Sequence, residues 1–201
     1  MDFVQMALMP LIMAGSAQEL PGVAERTEWK SLHKGEVAVV CGPFAEAMWC
    51  HAEAVLPGPR SEVQALLADV EGIAELFPRM RSMTQVDAGV MHQVIDYPFP
   101  YDDRDIVASF SWQRTANADA LMWASVGEPA VPTVGVRLDG AAGRFELRDG
   151  PRAGTTALAY TWRGELGPGL PDWVRPYAWR AQADEVVEGL SRGLHAGIST
   201  D

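Results

Sequence analysis

At 201 residues, with 48% hydrophobic and 21% charged side chains, the chain has the size and composition of one globular domain with a packed core, which excludes a disordered or coiled-coil protein. The formal net charge of −11 excludes the basic surface that nucleic acids bind, and it disfavours a polybasic surface for anionic lipid headgroups. A transient contact between an apolar loop and a membrane is compatible with this charge.

The first 17 residues form an apolar leader that is predicted to be a signal peptide. Residues 3–14 are mostly apolar and are followed by small residues up to Ala17, where a signal peptidase could cleave. The run is too short and, at Pro10, too interrupted for a transmembrane helix. Asp2 stands where signal peptides usually carry positive charge, so an uncleaved N-terminal helix is the alternative. Export predicts a periplasmic or secreted protein, and the alternative predicts a cytoplasmic one. The domain itself is predicted over residues 28–195.

A β-hairpin is predicted at the start of this domain, because two apolar runs, 36–41 and 48–55, flank a Gly-Pro loop. Cys41 and Cys50 could face each other across it. Two buried free thiols are expected unless the protein is exported into an oxidising compartment. The two cysteines and four scattered histidines lack the spacing of a zinc site. We therefore expect neither a metal nor a cofactor.

A helix and then a series of strands are predicted after this hairpin. Ser61 is expected to be the N-cap of a helix whose apolar residues recur at helical spacing until Pro78 ends it. Further runs have the length and spacing of antiparallel strands: 83–86, 91–97, 106–113, 120–126, 134–138, 144–147 and 156–166.

The last predicted element is a long amphipathic helix. Apolar residues from Trp179 to Leu194 fall on one stripe about 16 residues long. This order of elements is α+β. A curved antiparallel sheet is expected to wrap around the C-terminal helix, so that both apolar faces are buried and a hydrophobic cavity remains between them.

Three motifs in the sequence resemble the START family of lipid-binding domains. Residues 97–107, YPFPYDDRDIV, resemble the family's proline-rich loop that runs into an Arg-Asp strand. Residues 127–147 contain the GEP, VR and GRFEL segments, which are similar to its arginine and aromatic strands. Residues 154–173 resemble its last strand and the Gly-x-Leu-Pro entry to its final helix. The motifs occur in the family's order over nearly the whole domain.

The resemblance implies a helix-grip fold whose tunnel holds a hydrophobic small molecule, such as a sterol, phospholipid, fatty acid, carotenoid or polyketide-like compound. It does not identify the ligand. Phe110 stands where sterol-binding members carry a cavity arginine, which disfavours a steroid carrier that uses that polar pair. The proline-bounded loops 98–103 and 127–133 are candidate gates.

Candidate ligand-binding residues are the apolar side chains that alternate along the strands or share the helical stripe. They are Ile106, Ala108, Phe110, Trp112, Phe145, Leu147, Leu158, Tyr160, Trp162, Trp179, Ala183, Val187 and Leu190. Tyr160 could hold a ligand hydroxyl, or it could pack and bond to the backbone. Ala108 is the smallest of its row and would leave room for a ligand. Ala108→Trp is therefore predicted to block ligand uptake without unfolding the protein.

Binding and transfer without covalent catalysis is the predicted function. Arg104, Asp105 and Arg137 are interpreted as a structural ion pair or loop clamp. His51 and His92 are interpreted as packed or surface histidines, because no Ser-His-acid order can be assembled from the sequence. We therefore assign no catalytic residue. The alternatives are a cyclase or aromatase acting on a hydrophobic substrate, and an assembly module with an exposed apolar patch.

Overall fold

The computed structural model describes residues 20–127 and 131–198, and the predicted leader lies outside them. The described residues form one curved sheet and four helices. In chain order the elements are α1 (Val23–Arg26), β1 (Lys30–His33), β2 (Ala38–Phe44), β3 (Ala47–Pro57), α2 (Arg60–Ala68), α3 (Val70–Leu76), β4 (Met80–Asp87), β5 (Val90–Ile95), β6 (Arg104–Arg114), β7 (Asp119–Ser125), β8 (Val136–Arg137), β9 (Ala142–Asp149), β10 (Thr155–Arg163) and α4 (Arg175–Ile198).

The sheet has ten strands in the order β1-β2-β3-β10-β9-β7-β6-β5-β4, with β8 pairing in parallel to β6. All other neighbours are antiparallel. The N-terminal hairpin therefore joins the C-terminal strand at the centre of the sheet, which closes the fold through contacts far apart in sequence. None of the helices that the structure describes is long and apolar enough to cross a membrane.

The core lies between the inner face of the sheet and α4. Ala183 and Leu190 of α4 are fully buried against the sheet, and Val63 of α2 is buried at one end of it. Helix α4 approaches the end of α3 at Gly189, where a Cβ atom would lie 2.5 Å from the carbonyl oxygen of Leu76. Glycine is therefore required at this contact.

The helices differ from the prediction in their boundaries. Helix α2 begins at Arg60, so Ser61 lies inside it and no side chain caps it. The helical conformation is interrupted at Asp69. The Asp69 carboxylate accepts a hydrogen bond from the Gly72 N–H and caps α3. One predicted helix is therefore two. Helix α4 spans 24 residues and so extends beyond the predicted stripe at both ends. Both α1 and β1 were missed because they are only four residues long.

The two cysteines are joined. Cys41 and Cys50 are direct partners in the β2–β3 register and form a disulfide. Of the two alternatives that the sequence left open, free thiols or a disulfide, the structure shows the disulfide. Because disulfides persist in oxidising compartments, this bond bears on where the protein works.

Strand β6 is buried on both faces at its start. Ile106 and Ala108 point to the inner side as predicted, but Val107 on the opposite side is also only 1% exposed. The segment 131–138 covers that side, since the Val134 N–H donates to Asp105 and β8 pairs with β6. The alternation of β6 therefore does not separate a buried face from a solvent-exposed one.

Candidate functional site

A partly open cavity of about 130 Å³ lies between the sheet and α4. Its lining combines residues of β4, β5, β6, β7, β9 and β10 with α3, the middle of α4 and the loops beside them. The apolar members are Ile73, Phe77, Met80, Met83, Ile95, Ile106, Phe110, Leu121, Trp123, Leu138, Ala141, Phe145, Leu166 and Val186. The polar members are Arg79, Gln93, Tyr97, Tyr160, Arg163, Glu165, Gln182 and Glu185. Such a site, mainly apolar with sparse polar groups, is typical of small-molecule pockets.

Four of the candidate ligand-binding residues, Ile106, Phe110, Phe145 and Tyr160, line this cavity. The structure places the others outside its lining: Ala108, Trp112, Leu147, Leu158, Trp162, Trp179, Ala183, Val187 and Leu190. Most of these others pack into solid core, where Leu147 and Leu190 have no exposed surface. The sequence pattern identifies inward side chains, and the structure divides them between core and cavity.

Stacked aromatic rings form one wall. The rings of Phe145 and Tyr160 lie 4.4 Å apart at 6°, and Trp162 stacks on the other side of Tyr160 at 4.5 Å. The Tyr160 hydroxyl accepts a hydrogen bond of 3.0 Å from the Gln182 amide of α4. Burial raises the pKa of the Tyr160 phenol, so this group stays neutral at physiological pH.

Ion pairs account for all four charged side chains of the lining. The Arg79 Nε lies 2.8 Å from each carboxylate oxygen of Glu185. The second pair is looser, with 3.6 Å between Arg163 Nη2 and Glu165 Oε2. The charges of the lining therefore sum to zero. Tyr97 lies against Arg79, and burial raises the pKa of its phenol.

Gln93 is a polar side chain that the sequence analysis missed. It lies on β5 between Met83 of β4 and Ile106 of β6, both of which also line the cavity. Gln93 is only 9% exposed, its amide makes no hydrogen bond with any residue in 20–127 or 131–198, and its amide atoms are not fully occluded where they line the cavity. The sequence pattern could have indicated Gln93, because it is the one polar residue on the inward side of β5, between Met91 and Ile95.

Arg104 fastens the first candidate gate to the segment before α4. Its Nε donates to the Leu166 carbonyl at 2.7 Å, and its Nη2 donates to the Pro168 carbonyl at 3.0 Å. Its guanidinium also lies 4.6 Å from the centre of the Tyr97 ring. Arg104 is 1% exposed. The loop between β5 and β6 is residues 96–103, and it contains the predicted gate 98–103. Arg104 acts as a clamp on this loop, which is one of the two predicted alternatives. It forms no ion pair with Asp105.

Asp105 instead fastens the segment that follows the second candidate gate, at Val134 and Arg137. Its carboxylate binds the Arg137 guanidinium, accepts a hydrogen bond of 2.7 Å from the Val134 N–H, and lies 3.1 Å from His92 Nε2. Burial alone would raise the pKa of this carboxyl, but these three donors outweigh burial and lower it. The structural ion pair is therefore Asp105–Arg137.

A larger groove of about 710 Å³ opens on the outer face of the sheet. There His51 Nδ1 lies 2.7 Å from Thr161 Oγ1, and its Nε2 lies 3.1 Å from Glu53 Oε1. Burial lowers the pKa of His51. The groove walls carry ion-paired Arg144 and Glu146, and an apolar ligand would have to cover these charges. The smaller cavity between the sheet and α4 is therefore the better site for a hydrophobic molecule.

No group of three or more His, Cys, Asp or Glu side chains that could hold a metal ion occurs within the described residues.

Several solved structures resemble this chain. A fragment of the STAR-related lipid transfer protein from Xanthomonas axonopodis is 17% identical with a TM-score of 0.70, and the match covers 83% of this chain and 98% of that one. Human StAR-related lipid transfer protein 5 is 16% identical with a TM-score of 0.75, covering 86% and 89%. Human STARD10 is 15% identical with a TM-score of 0.70, covering 89% and 81%. No protein-family model and no curated protein sequence matches the chain.

At these identities the comparisons show the fold. A large curved antiparallel sheet that grips a C-terminal helix is the START-type helix-grip fold, and the predicted fold class is confirmed.

Proposed function

We propose that this START-like domain binds one hydrophobic, lipid-like molecule in the cavity between the sheet and α4 and transfers it without covalent chemistry. The observation that carries the proposal is the cavity itself, which lies between sheet and α4 and is walled by aromatic and aliphatic side chains. Structural neighbours described as lipid transfer proteins support the same use of the fold. Burial of apolar ligand surface stabilises such a complex by about 25 cal/mol per Å².

The state of the titratable groups in the cavity supports binding over catalysis. Glu165 and Glu185 are held in ion pairs, and Tyr160 is kept neutral by burial and bonded to Gln182. General acid-base catalysis requires a group that can exchange a proton at the pH of the reaction. Tyr160, whose pKa burial raises, is not such a group, and both carboxylates face arginines.

The size of the cavity requires a gate. A volume of about 130 Å³ is well below the roughly 300 to 1000 Å³ of pockets that enclose drug-sized ligands. A ligand larger than a few rings therefore enters only if loop 96–103 or α4 moves. Because Arg104 links that loop to the segment before α4, breaking its hydrogen bonds is the opening step that we propose.

Exposed aromatic side chains on the two segments that Arg104 joins suit a transient membrane contact. Phe99, at the tip of loop 96–103, is 97% exposed, and Trp173, just before α4, is 72% exposed. Arg104 holds these two segments together. Aromatic side chains partition into membrane interfaces without the positive charge that this protein lacks. We propose that they dock the mouth of the cavity on a membrane.

A vesicle assay tests the transfer function. Donor vesicles carry a fluorescent lipid analogue, and its arrival in acceptor vesicles is followed with time. We expect the protein to accelerate transfer, and Phe99→Ser or Trp173→Ser to slow it several-fold with the fold intact. Val86→Ser is the control, because Val86 is an exposed apolar residue at the far end of β4. Transfer no faster than without protein would refute the proposal.

Export is proposed for the whole chain. It is supported by the apolar leader and by the Cys41–Cys50 disulfide, because disulfides persist in oxidising compartments. Intact-mass analysis of protein from its native host tests this proposal. A mature chain that begins at Gln18 is expected, and one that begins at Met1 would contradict export.

A further inference from the structure

We infer that the ligand of this cavity is uncharged and carries a hydroxyl or carbonyl oxygen that bonds to the Gln93 amide. The inference rests on the proposed function and narrows it, since it selects neutral oxygen-bearing molecules over fatty acids, other anions and pure hydrocarbons.

The first step is the unsatisfied amide. Gln93 is 9% exposed, lines the cavity and has no hydrogen-bond partner within residues 20–127 and 131–198. The amide atoms are not fully occluded, so they face cavity space where a ligand can supply the missing partner. The amide offers both a donor and an acceptor. A ligand hydroxyl can use either, and a ligand carbonyl can accept from the NH₂ group.

The second step is the state of the other neutral polar groups. The Tyr160 hydroxyl and the Gln182 amide already bond to each other at 3.0 Å. Their contact joins β10 to α4 and holds the aromatic wall in place. The Tyr97 ring lies against the guanidinium groups of Arg79 and Arg104. Gln93 of β5 is therefore the open neutral anchor among the strand residues of the lining.

The third step is charge. Arg79 and Glu185 form a close pair, and Arg163 lies near Glu165, so an anion would enter a lining with no net positive charge. Burying an uncompensated charge costs far more than burying a bonded neutral group. Arg163 is the one alternative anchor for an anion, because its Nε is buried without a partner among the described residues. Glu165 beside it opposes that use.

Three probes of equal ring size separate these cases: 2-naphthol, naphthalene and 2-naphthoate. They suit a small cavity with a stacked aromatic wall. Their affinities are measured by calorimetry for the wild type, Gln93→Leu, Gln93→Met and Arg163→Gln. Gln113→Leu is the matched control, because Gln113 is exposed on β6. Thermal unfolding of each variant shows that it is folded.

We expect the wild type to bind 2-naphthol most tightly. Both Gln93 variants should lose about 3- to 10-fold in 2-naphthol affinity, as the loss of one hydrogen bond implies. They should keep or increase their affinity for naphthalene, and Gln113→Leu should change nothing. Arg163→Gln should leave the order of the three probes unchanged.

Two outcomes overturn the inference while the proposed function stands. One is tightest binding of 2-naphthoate with loss of that preference in Arg163→Gln, which would show an anionic ligand. The other is an equal loss for all three probes in the Gln93 variants, which would show a structural role for Gln93. Failure of the wild type to bind any probe, together with failure to take up lipid from vesicles, would overturn both proposals.

Discussion

Ala108 shows how one residue can face inward and still not line the cavity. It has no exposed surface and packs in a small cluster with Ile106, Leu138 and Ala141. Its sequence position between two cavity-lining residues, Ile106 and Phe110, favoured a place beside the ligand, but the cluster fills the space there. The expectation for a large side chain at this position therefore changes.

Ala108→Trp is now expected to destabilise the protein, by about 1 to 3 kcal/mol or more, because the side chain enters a packed region. Urea unfolding of the variant measures this. Ser109→Ala, on the opposite side of the same strand, is the control and should have little effect. A stable Ala108→Trp protein that no longer takes up ligand would instead support the sequence-based expectation.

His51 provides a test by pH. Burial lowers its pKa in the folded protein, whereas in the unfolded chain it takes up a proton near pH 6.5. Between these two values the unfolded state binds more protons. The stabilising contribution of neutral His51 is therefore complete above about pH 6.5 and is lost as pH falls below it.

We expect the free energy of unfolding to fall between pH 7 and pH 5, and His51→Asn to flatten this dependence. His195→Asn serves as the control, because His195 is exposed near the end of α4. Urea unfolding at several pH values measures all three proteins. Equal slopes for the wild type and His51→Asn would show that burial does not affect the titration of His51.

At the scale of elements, the β2–β3 hairpin carries the most specific prediction. Its disulfide closes a short loop, with a sequence separation of 9 between Cys41 and Cys50. The double variant Cys41→Ala/Cys50→Ala should lose about 2 to 3 kcal/mol of stability, as expected for a loop of this length. Denaturant unfolding with and without reductant measures this. Reductant should weaken the wild type and leave the variant unchanged, and a wild type indifferent to reductant would contradict the disulfide.

The sequence predicts whether an element is a strand or a helix where a regular apolar pattern extends over many residues. The strands from β2 to β10 and the C-terminal helix follow the alternating and helical patterns, as the structure confirms. The break between α2 and α3 was missed, because Asp69 caps a second helix inside a run of continuous helical spacing. Gly72, three residues later, was the local signal, since Asp69 accepts from its N–H.

At the scale of the whole molecule, the fold was predictable and the site only in part. The order of the strand and helix patterns, together with the family resemblance, predicts a sheet that wraps around the last helix. They do not separate cavity from core, because the same apolar residue types fill both, as Phe145 and Leu147 on neighbouring inward positions of β9 show. Apart from Tyr160, the polar lining was missed for another reason. Gln93 and Gln182 are distant in sequence, and only the fold brings them to one cavity.

The central claim is that the cavity between the sheet and α4 holds a hydrophobic molecule, and native mass spectrometry of the purified protein tests it most directly. Val186 lines the cavity from α4, whereas Glu188 is exposed on the same helix. The wild type and Glu188→Trp should each show one added mass that organic solvent extracts, or should acquire one from lipid vesicles. Val186→Trp should fold and show none. A wild type that stays empty after incubation with vesicles, or a Val186→Trp protein that is folded and carries the same added mass, would contradict the claim.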